Sequence, residues 1–481
     1  MTQENLTVPQ GWTEASLSEL VELNPKHDAD LPEDTAVSFV PMSAVDDVDG
    51  VIKEHDSRPL GAVKKGYTHF AEGDVIFAKI TPCMENGKSA VARGLVNGLA
   101  CGSTEFFVLR SRGAIKPDYL HKFLRQQSYR RAAEHAMTSA VGQARVPKEF
   151  LLNTTVPLAP INEQDRIVAK LEDSFDRVRS CREHLELIPN LLKQFRQSIL
   201  DAACSGRLTK DWRGESVSDG LPPGWQWVQL EDLLIKGGIF DGPFGSNLKT
   251  DDYTSEGVRV IRLENIGHLS FIHEKKTYIS QGKYESLIKH KVGEGDIIFA
   301  SFIDEEIRAC VLPKLETDAI AKADCFCLRP DEKLVDRTYL TYQLVCRDTY
   351  NALTGNIHGA TRPRINTTQL RKLKVRVCPL EEQEEIVRRV ESLFKIADTV
   401  KGHYRKAQEQ LDKLPQSILA KAFRGDLVPQ NPNDEPASAL LERIRAGKAD
   451  GDKATRKAKQ PQRKAVRQPA ARLPFAKSAE G

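Results

Sequence analysis

Residues 163–208, EQDRIVAKLEDSFDRVRSCREHLELIPNLLKQFRQSILDAACSGRL, return at 382–427 as EQEEIVRRVESLFKIADTVKGHYRKAQEQLDKLPQSILAKAFRGDL. The shift is a constant 219 residues with no gap, and about 15 of the 46 aligned positions are identical. A unit of that length exceeds any solenoid repeat, so the chain carries a duplicated module rather than an array. Behind each EQ pair, apolar residues fall at gaps that alternate between three and four. They are Val178, Cys181, Leu185, Ile188, Leu192, Phe195, Ile199 and Ala202, and then Val390, Leu393, Ala397, Val400, Tyr404, Ala407, Leu411, Leu414 and Ile418. This is the period of a coiled-coil seam. An amphipathic helix lying on a globular core gives a similar stripe and is the alternative. Two matching seams in one chain favour pairing with each other. The helices predicted over 163–201 and 382–420 would each run about 58 Å at 1.5 Å per residue. The heptad phase survives Pro189 and Pro415, which predicts kinks rather than ends. Gly206 and Gly425 are the expected C-terminal stops.

The repeat extends outward from the helices. VPQGWTEASLSELV (8–21) answers LPPGWQWVQLEDLL (221–234), GDVIFAKI (73–80) answers GDIIFASF (295–302), and FVLR (107–110) answers FCLR (326–329). Each copy is a variable part followed by a helical part. Short β-rich runs punctuated by Gly and Pro, with helical stretches over 118–136 and 337–353, predict a mixed sheet with appended helices. The expected architecture is α+β, with two mixed domains separated by two long helices paired as an antiparallel coiled coil. Its expected segments are a first variable domain (1–157), a central helical spacer (158–212), a second variable domain (213–377), a C-terminal helical spacer (378–430) and a basic tail (431–481), disordered beyond about 447.

Composition narrows the class. The 481 residues are 40% hydrophobic and 28% charged, a globular balance that suits two to four domains. No apolar run reaches the length of a membrane span. MTQENLTVPQGW has neither a basic nor an apolar signal region. Nine cysteines without a CxxC pair argue against a disulfide framework and a zinc ribbon, and suit a cytoplasmic location. Cys325 and Cys327, two apart on a predicted strand, should point the same way. The net charge is +3, but residues 434–481 alone carry +6, so the body is slightly acidic. Any affinity for nucleic acid must come from local patches, because phosphate contacts and not total charge provide it.

No catalytic constellation emerges. Asn86-Gly87-Lys88-Ser89 resembles the end of a P-loop, but Pro82 stands where its first Gly belongs. There is no GxGxxG after a strand, no HExxH and no GxSxG. The eleven histidines show no ligand spacing, so no metal site is expected. Paired acids such as Asp46-Asp47 and Asp251-Asp252 fall in polar loops. A recognition or scaffold subunit, not an enzyme by itself, is the expectation.

The order of these motifs resembles a known family. GW near each module start, PLAPINEQDRIV (157–168), PLEEQEEIV (379–387) and the twice-written QSIL–x–x–A–x–x–G–x–L are similar to the specificity subunit of type I restriction–modification systems. So are FAKITPCMENGKSA (77–90), DGPFGSNLKTDDY (241–253), IRLENI (261–266) and GATRPRIN (359–366), which resemble its target-recognition domains. The resemblance covers about residues 8–430. It implies a non-catalytic subunit whose two target-recognition domains each read one half of a bipartite, asymmetric site on double-stranded DNA. It implies helices that set the unread spacer, two methyltransferase subunits docked on the chain, and restriction subunits in the full complex. No cofactor is expected in this chain; S-adenosylmethionine, ATP and Mg would belong to partner subunits. A coiled-coil scaffold that reads no DNA, or a fragment of a type IIG-like fused enzyme, are the competing possibilities.

Gly-rich loops that carry amide, hydroxyl and basic side chains suit DNA reading, because backbone can approach phosphates while side chains reach base edges. The candidates in copy one are Lys79, Thr81, Asn86, Lys88, Gln143 and Arg145. In copy two they are Ser246, Asn247, Lys249, Arg262, Asn265, Arg362 and Arg364. Asn86-Gly87, Gly242-Pro243 and Gly245 also fit plain turns. Glu163, Gln164, Glu382 and Gln383 open the helices, where acids complement the helix dipole; the family resemblance marks them as candidates for partner docking.

Overall fold

A computed structural model describes residues 8–140, 143–214, 220–355 and 364–446. The chain divides into two compact units, Met1–Arg182 with Glu409–Gly481, and Glu183–Gln408. Each unit therefore joins one variable part to segments of both long helices, an interleaving that boundaries drawn along the sequence do not capture. Among the described residues no helix is long and apolar enough to cross a membrane.

In the first unit, strands Val21–Leu23, Phe106–Ser111, Val75–Ala78 and Ser89–Val91 lie side by side, all antiparallel. A second sheet orders Asp56–Pro59, Ala36–Val40, Leu99–Gly102 and Thr68–Ala71, its two middle strands parallel. The second unit repeats the plan. Leu234–Phe240, Cys325–Pro330, Ile297–Ala300 and Ala309–Val311 form one sheet, and Val258–Ile261 runs parallel to Ala319–Ala321 in the other. Each variable part is also closed where the chain enters and leaves it. Thr13–Ser16 pairs with Thr155–Leu158, and Gln226–Gln229 with Lys374–Val377.

The continuous apolar runs follow from burial on both faces of these sheets. Val75 and Phe77 enter one core while Ile76 enters another. Ile297 and Phe299 likewise part from Ile298 and Ala300. Cys325 and Cys327 share a face and a core as free thiols, as their spacing predicts.

The helices run Ile161–Glu186, Ile188–Cys204 and Leu380–Phe423, longer than the heptad stripes. The first is interrupted at Leu187, which keeps right-handed helical angles (φ −76°, ψ −25°), so the chain does not uncoil there. Pro189 then sits in the first turn of the next segment, where its missing N–H costs nothing. Pro415 lies inside an uninterrupted helix. Gly206 and Gly425 follow the helix ends at φ +76° and +80°, the left-handed stop that favours glycine.

Within each unit the helices pair antiparallel. In the first, Arg182 meets Asp412 at 2.8 Å, and Ile167 and Leu171 share a core with Leu419 and Phe423. In the second, Arg196 meets Asp398 at 2.6 Å and Arg389 donates to the Leu208 carbonyl at 2.8 Å. The seam is uneven. Val178, Ile199, Val390 and Ala397 are buried, while Cys181, Phe195, Val400 and Leu414 are exposed. A pair of helices shields a narrow stripe, and the helix residues that join the two large cores lie where a variable part packs on top. There Ile167, Leu171, Leu419 and Phe423 join the first core, and Leu200, Ala203, Ile386 and Val390 the second.

The recurring GW and EQ motifs meet in space. Trp12 Nε1 donates to Glu163 at 3.1 Å, and Trp225 Nε1 donates to Glu382 at 3.1 Å. The neighbouring glutamines complete each joint. Gln164 accepts from Lys116 N at 2.7 Å and donates to the carbonyls of Ala114 and Ala159. Gln383 accepts from Asp336 N at 2.8 Å and donates to the Cys378 carbonyl. All four motif residues are at most 1% exposed. The two carboxylates differ in surroundings. Glu382 is paired with Arg213 and accepts from Thr209 at 2.6 Å, whereas burial pushes the Glu163 carboxyl up.

The beginning of the presumed tail is folded. Residues 437–446 are helical, Ala437 N donates to the Gly11 carbonyl, and Ala437 and Leu441 are buried in the first core. The stretch from 447 onward, expected to be disordered, lies outside the described residues.

The two joints should respond differently to loss of charge. Glu382→Gln removes a buried carboxylate that accepts from Trp225, Thr209 and Arg213, and should cost about 1.5–3 kcal/mol. Glu163→Gln keeps an acceptor for Trp12 and should cost much less. A carboxyl whose folded pKa lies above its unfolded value opposes folding as pH rises between the two. Glu163→Gln should therefore lose least, or gain, toward neutral pH. Thermal melts of both variants from acid to neutral pH check the contrast.

Candidate DNA interface

The two halves of the expected interface are described separately, one in each unit. In the first, the strand that ends at Ala78 continues as Lys79–Thr81 and meets a short hairpin, Thr138–Ala140 with Gln143–Arg145. Val146 N donates to the Lys79 carbonyl at 2.8 Å, and Thr81 N to the Ala144 carbonyl at 3.1 Å. This backbone pairing brings Lys79, Thr81 and Arg145 together. The Thr81 hydroxyl is partly committed, accepting from Ala144 N at 3.4 Å. The Arg145 guanidinium forms a two-pronged contact with Glu105, at 3.0 and 2.9 Å. That bond holds the Glu105 carboxyl below the ordinary carboxylate range. Lys79 Nζ stands 5.5 Å from the Phe107 ring.

The second unit contains the same device. Ile365 N donates to the Ser301 carbonyl at 2.9 Å, and Arg364 bridges to Phe302. Arg364 pairs with Asp324 at 2.5 Å and lies 5.8 and 5.6 Å from the rings of Phe244 and Phe302. Arg145 and Arg364 are 219 residues apart, and so are Glu105 and Asp324. Both acids directly precede the FxLR-bearing strand. A carboxylate that holds a half-exposed guanidinium fixes its fork in one orientation, which bidentate recognition of guanine or phosphate requires. Beside this pair, burial pushes Asp241 up to about 6 despite N–H donors from Gly242 and Asp324. Gly242 is required by close approach, since a Cβ there would stand 2.1 Å from the Lys322 backbone.

Other candidates are spent elsewhere. Lys88 Nζ donates to the carbonyls of Met42 and Val45 at 3.2 and 2.9 Å and tethers the loop around them. Asn265 is fully buried; its amide donates to the carbonyls of Ile272 and Lys275, and its oxygen accepts from Arg262 N. Neither side chain is presented to DNA, because each satisfies backbone that a sharp turn leaves unpaired. Arg262 is half-buried between Glu264, Thr277 and the Tyr253 ring. Asn86, Asn247 and Lys249 are exposed, with Asn86 in a turn closed by Gly87 N to the Met84 carbonyl. Gln143 lies in the hairpin and Ser246 in a 3-10 turn. Arg362 lies outside the described residues.

Glu163, Gln164, Glu382 and Gln383 are also corrected. They are interior joints, sealed by their own unit, and offer no surface to a partner. Sequence inspection missed Glu105, Asp324 and the exposed Phe244; the constant repeat shift, applied to acids as well as to bases, was the available signal for the first two. It missed a metal-competent cluster too. His27, His69 and Cys101, scattered in sequence, place one ligand atom each within 4.8 Å of the others.

Comparison with known proteins places the chain in a family. A family model described as the type I restriction modification DNA specificity domain matches residues 222–408. The EcoBI type I restriction enzyme specificity subunit of Escherichia coli is 32% identical over 348 residues, 68% of this chain and 72% of that protein. The StySPI specificity subunit of Salmonella potsdam is 31% identical over 382 residues, 75% of this chain and 77% of that one. A crystal structure of the HsdS subunit from Thermoanaerobacter tengcongensis shares the fold, with a TM-score of 0.64 at 23% identity over 89% of this chain and 100% of that chain.

Arg364 and Lys88 separate recognition from support. Arg364→Ala should relax discrimination at a few base pairs of a DNA target by about 1–3 kcal/mol with little change in melting. Lys88→Met should instead destabilise by about 1–3 kcal/mol, because two carbonyls lose their donor. Competition binding with substituted duplexes, alongside thermal melts, distinguishes the two outcomes.

Proposed function

This chain belongs to the specificity subunits of type I restriction–modification systems, and from that membership we propose that each of its variable domains reads one half of a bipartite DNA site. Specificity subunits are in general non-catalytic chains that serve DNA recognition in complexes with methyltransferase and restriction subunits. The observation that carries the finer reading is the repeated arginine–carboxylate pair. Arg145 with Glu105, and Arg364 with Asp324, stand at matching places in two domains of similar topology, whose second sheets have four and five strands. Their neighbours differ: Thr81 and a hairpin in one, Phe244 and Phe302 in the other. Equal scaffolds with unequal reading surfaces suit an asymmetric target, which a homodimer cannot easily read.

The paired helices then act as the spacer, and methyltransferase subunits dock on helical surface. With the EQ residues sealed inside, the support for docking comes from apolar side chains left in solvent. Leu187, Leu191 and Phe195 are exposed at helical spacing, and so are Ile396 and Val400. Exposed apolar stripes of this kind mark interaction surfaces. S-adenosylmethionine, ATP and Mg belong to the partner subunits in this reading.

Inserting one helical turn within 171–185, matched by one turn opposite it near Asp412, should lengthen the recognised spacer and leave both half-site sequences unchanged. Methylated-base mapping in a host carrying the variant and its methyltransferase partner checks this. Altered half-sites with the old spacer would overturn the division of labour. Absence of any sequence-selective modification by the unaltered complex would favour a scaffold that reads no DNA.

A further inference from the structure

We propose that His27, His69 and Cys101 form a zinc-type metal site in the first variable domain. His69 and Cys101 are directly opposed partners on adjacent antiparallel strands, Thr68–Ala71 and Leu99–Gly102. Side chains of opposed residues project from the same face of a sheet, so the register itself brings imidazole and thiol together. His27 enters from the loop after Val21–Leu23 and lays its ring 4.7 Å from that of His69. The ligand atoms of all three lie within 4.8 Å of one another.

The surroundings prepare the two rings for a cation. His27 Nε2 meets the Ala100 carbonyl at 2.8 Å, and His69 Nε2 meets the Lys64 carbonyl at 2.8 Å. A carbonyl only accepts, so each Nε2 donates and each Nδ1 is left as an acceptor; that of His69 takes the His27 N–H at 3.4 Å, a long bond that a cation would replace. A second-shell carbonyl of this kind is what orients histidine ligands in metal proteins. The Cys101 thiol is fully buried. A bound cation would displace its proton to solvent and take the thiolate, giving one proton released per ion.

Two imidazoles and one thiolate select a borderline-soft ion such as Zn(II) over Mg or Ca. Bonds of about 2.0–2.3 Å in a tetrahedron require closer ligands than the separation seen. The half-buried His27 loop can supply that closure, since the other two ligands are fixed by strand register. The fourth position falls to water. The site would staple the loop after residue 23 onto the sheet, a stabilising role independent of how DNA is read.

The test is titration of the chelator-stripped, reduced full-length chain with Co(II), followed by displacement with Zn(II). Saturation at one equivalent with a thiolate-to-cobalt charge-transfer band, and a higher melting temperature with Zn(II), is the expected result. Cys101→Ala should abolish the band, and His27→Gln should weaken Co(II) binding at least tenfold while leaving the circular dichroism spectrum unchanged. The double variant Cys83→Ser, Cys181→Ser, which removes the two more accessible thiols, should keep the band. A wild-type chain without the band, a band that survives Cys101→Ala, or its loss in the double variant would overturn the proposal. If Cys101→Ala does not fold, His27→Gln decides: unchanged Co(II) affinity overturns it.

Discussion

Each half of this protein depends on a tryptophan indole that donates to a buried glutamate at the foot of a long helix. The bond closes the distance between the chain's entry into a variable domain and its exit into the helix, 151 residues later in one copy and 157 in the other. A buried carboxylate without a donor is costly, so the indole N–H and the carboxylate specify each other. The adjacent glutamine does the same for backbone, matching an N–H and carbonyls that would otherwise be orphaned at the junction. The GW and EQ motifs recur because this joint must be built twice.

From that joint follows the interleaved organisation. Each unit takes one end of each long helix along with its own variable domain. Burial along the helices mirrors this. Ile167 and Leu171 sink into the first core, Ile199 and Leu200 into the second, and the stretch between is exposed or half-buried except at Val178. The surface ion pairs along the helices contribute little stability individually. Their value is in register, since only the antiparallel alignment brings Arg196 to Asp398 and Arg389 to the Leu208 carbonyl.

At the candidate interface the same economy holds: conformational freedom is removed before a ligand arrives. Arg145 and Arg364 are each braced by one acid that the duplication carried along with them. A braced guanidinium loses less entropy on binding than a free one. The domains can then diverge in everything around the braced arginine while keeping the frame.

Sequence alone determined what periodicity and recurrence encode. The two helices, their stops at Gly206 and Gly425, the two-copy plan, the common face of Cys325 and Cys327, and the equivalence of the Arg145 and Arg364 loops all rest on local spacing or on a constant shift. Only the tertiary structure decided which polar groups are spent. Glu163, Gln164, Glu382, Gln383, Lys88 and Asn265 look like surface chemistry in the sequence, yet each is consumed by backbone or a buried partner from distant residues. His27, His69 and Cys101 gave no signal for the opposite reason: their meeting is set by strand register and one loop, and neither leaves a mark in residue spacing. Local pattern records the path of the backbone; whether a polar side chain is free or committed depends on what long-range packing places beside it.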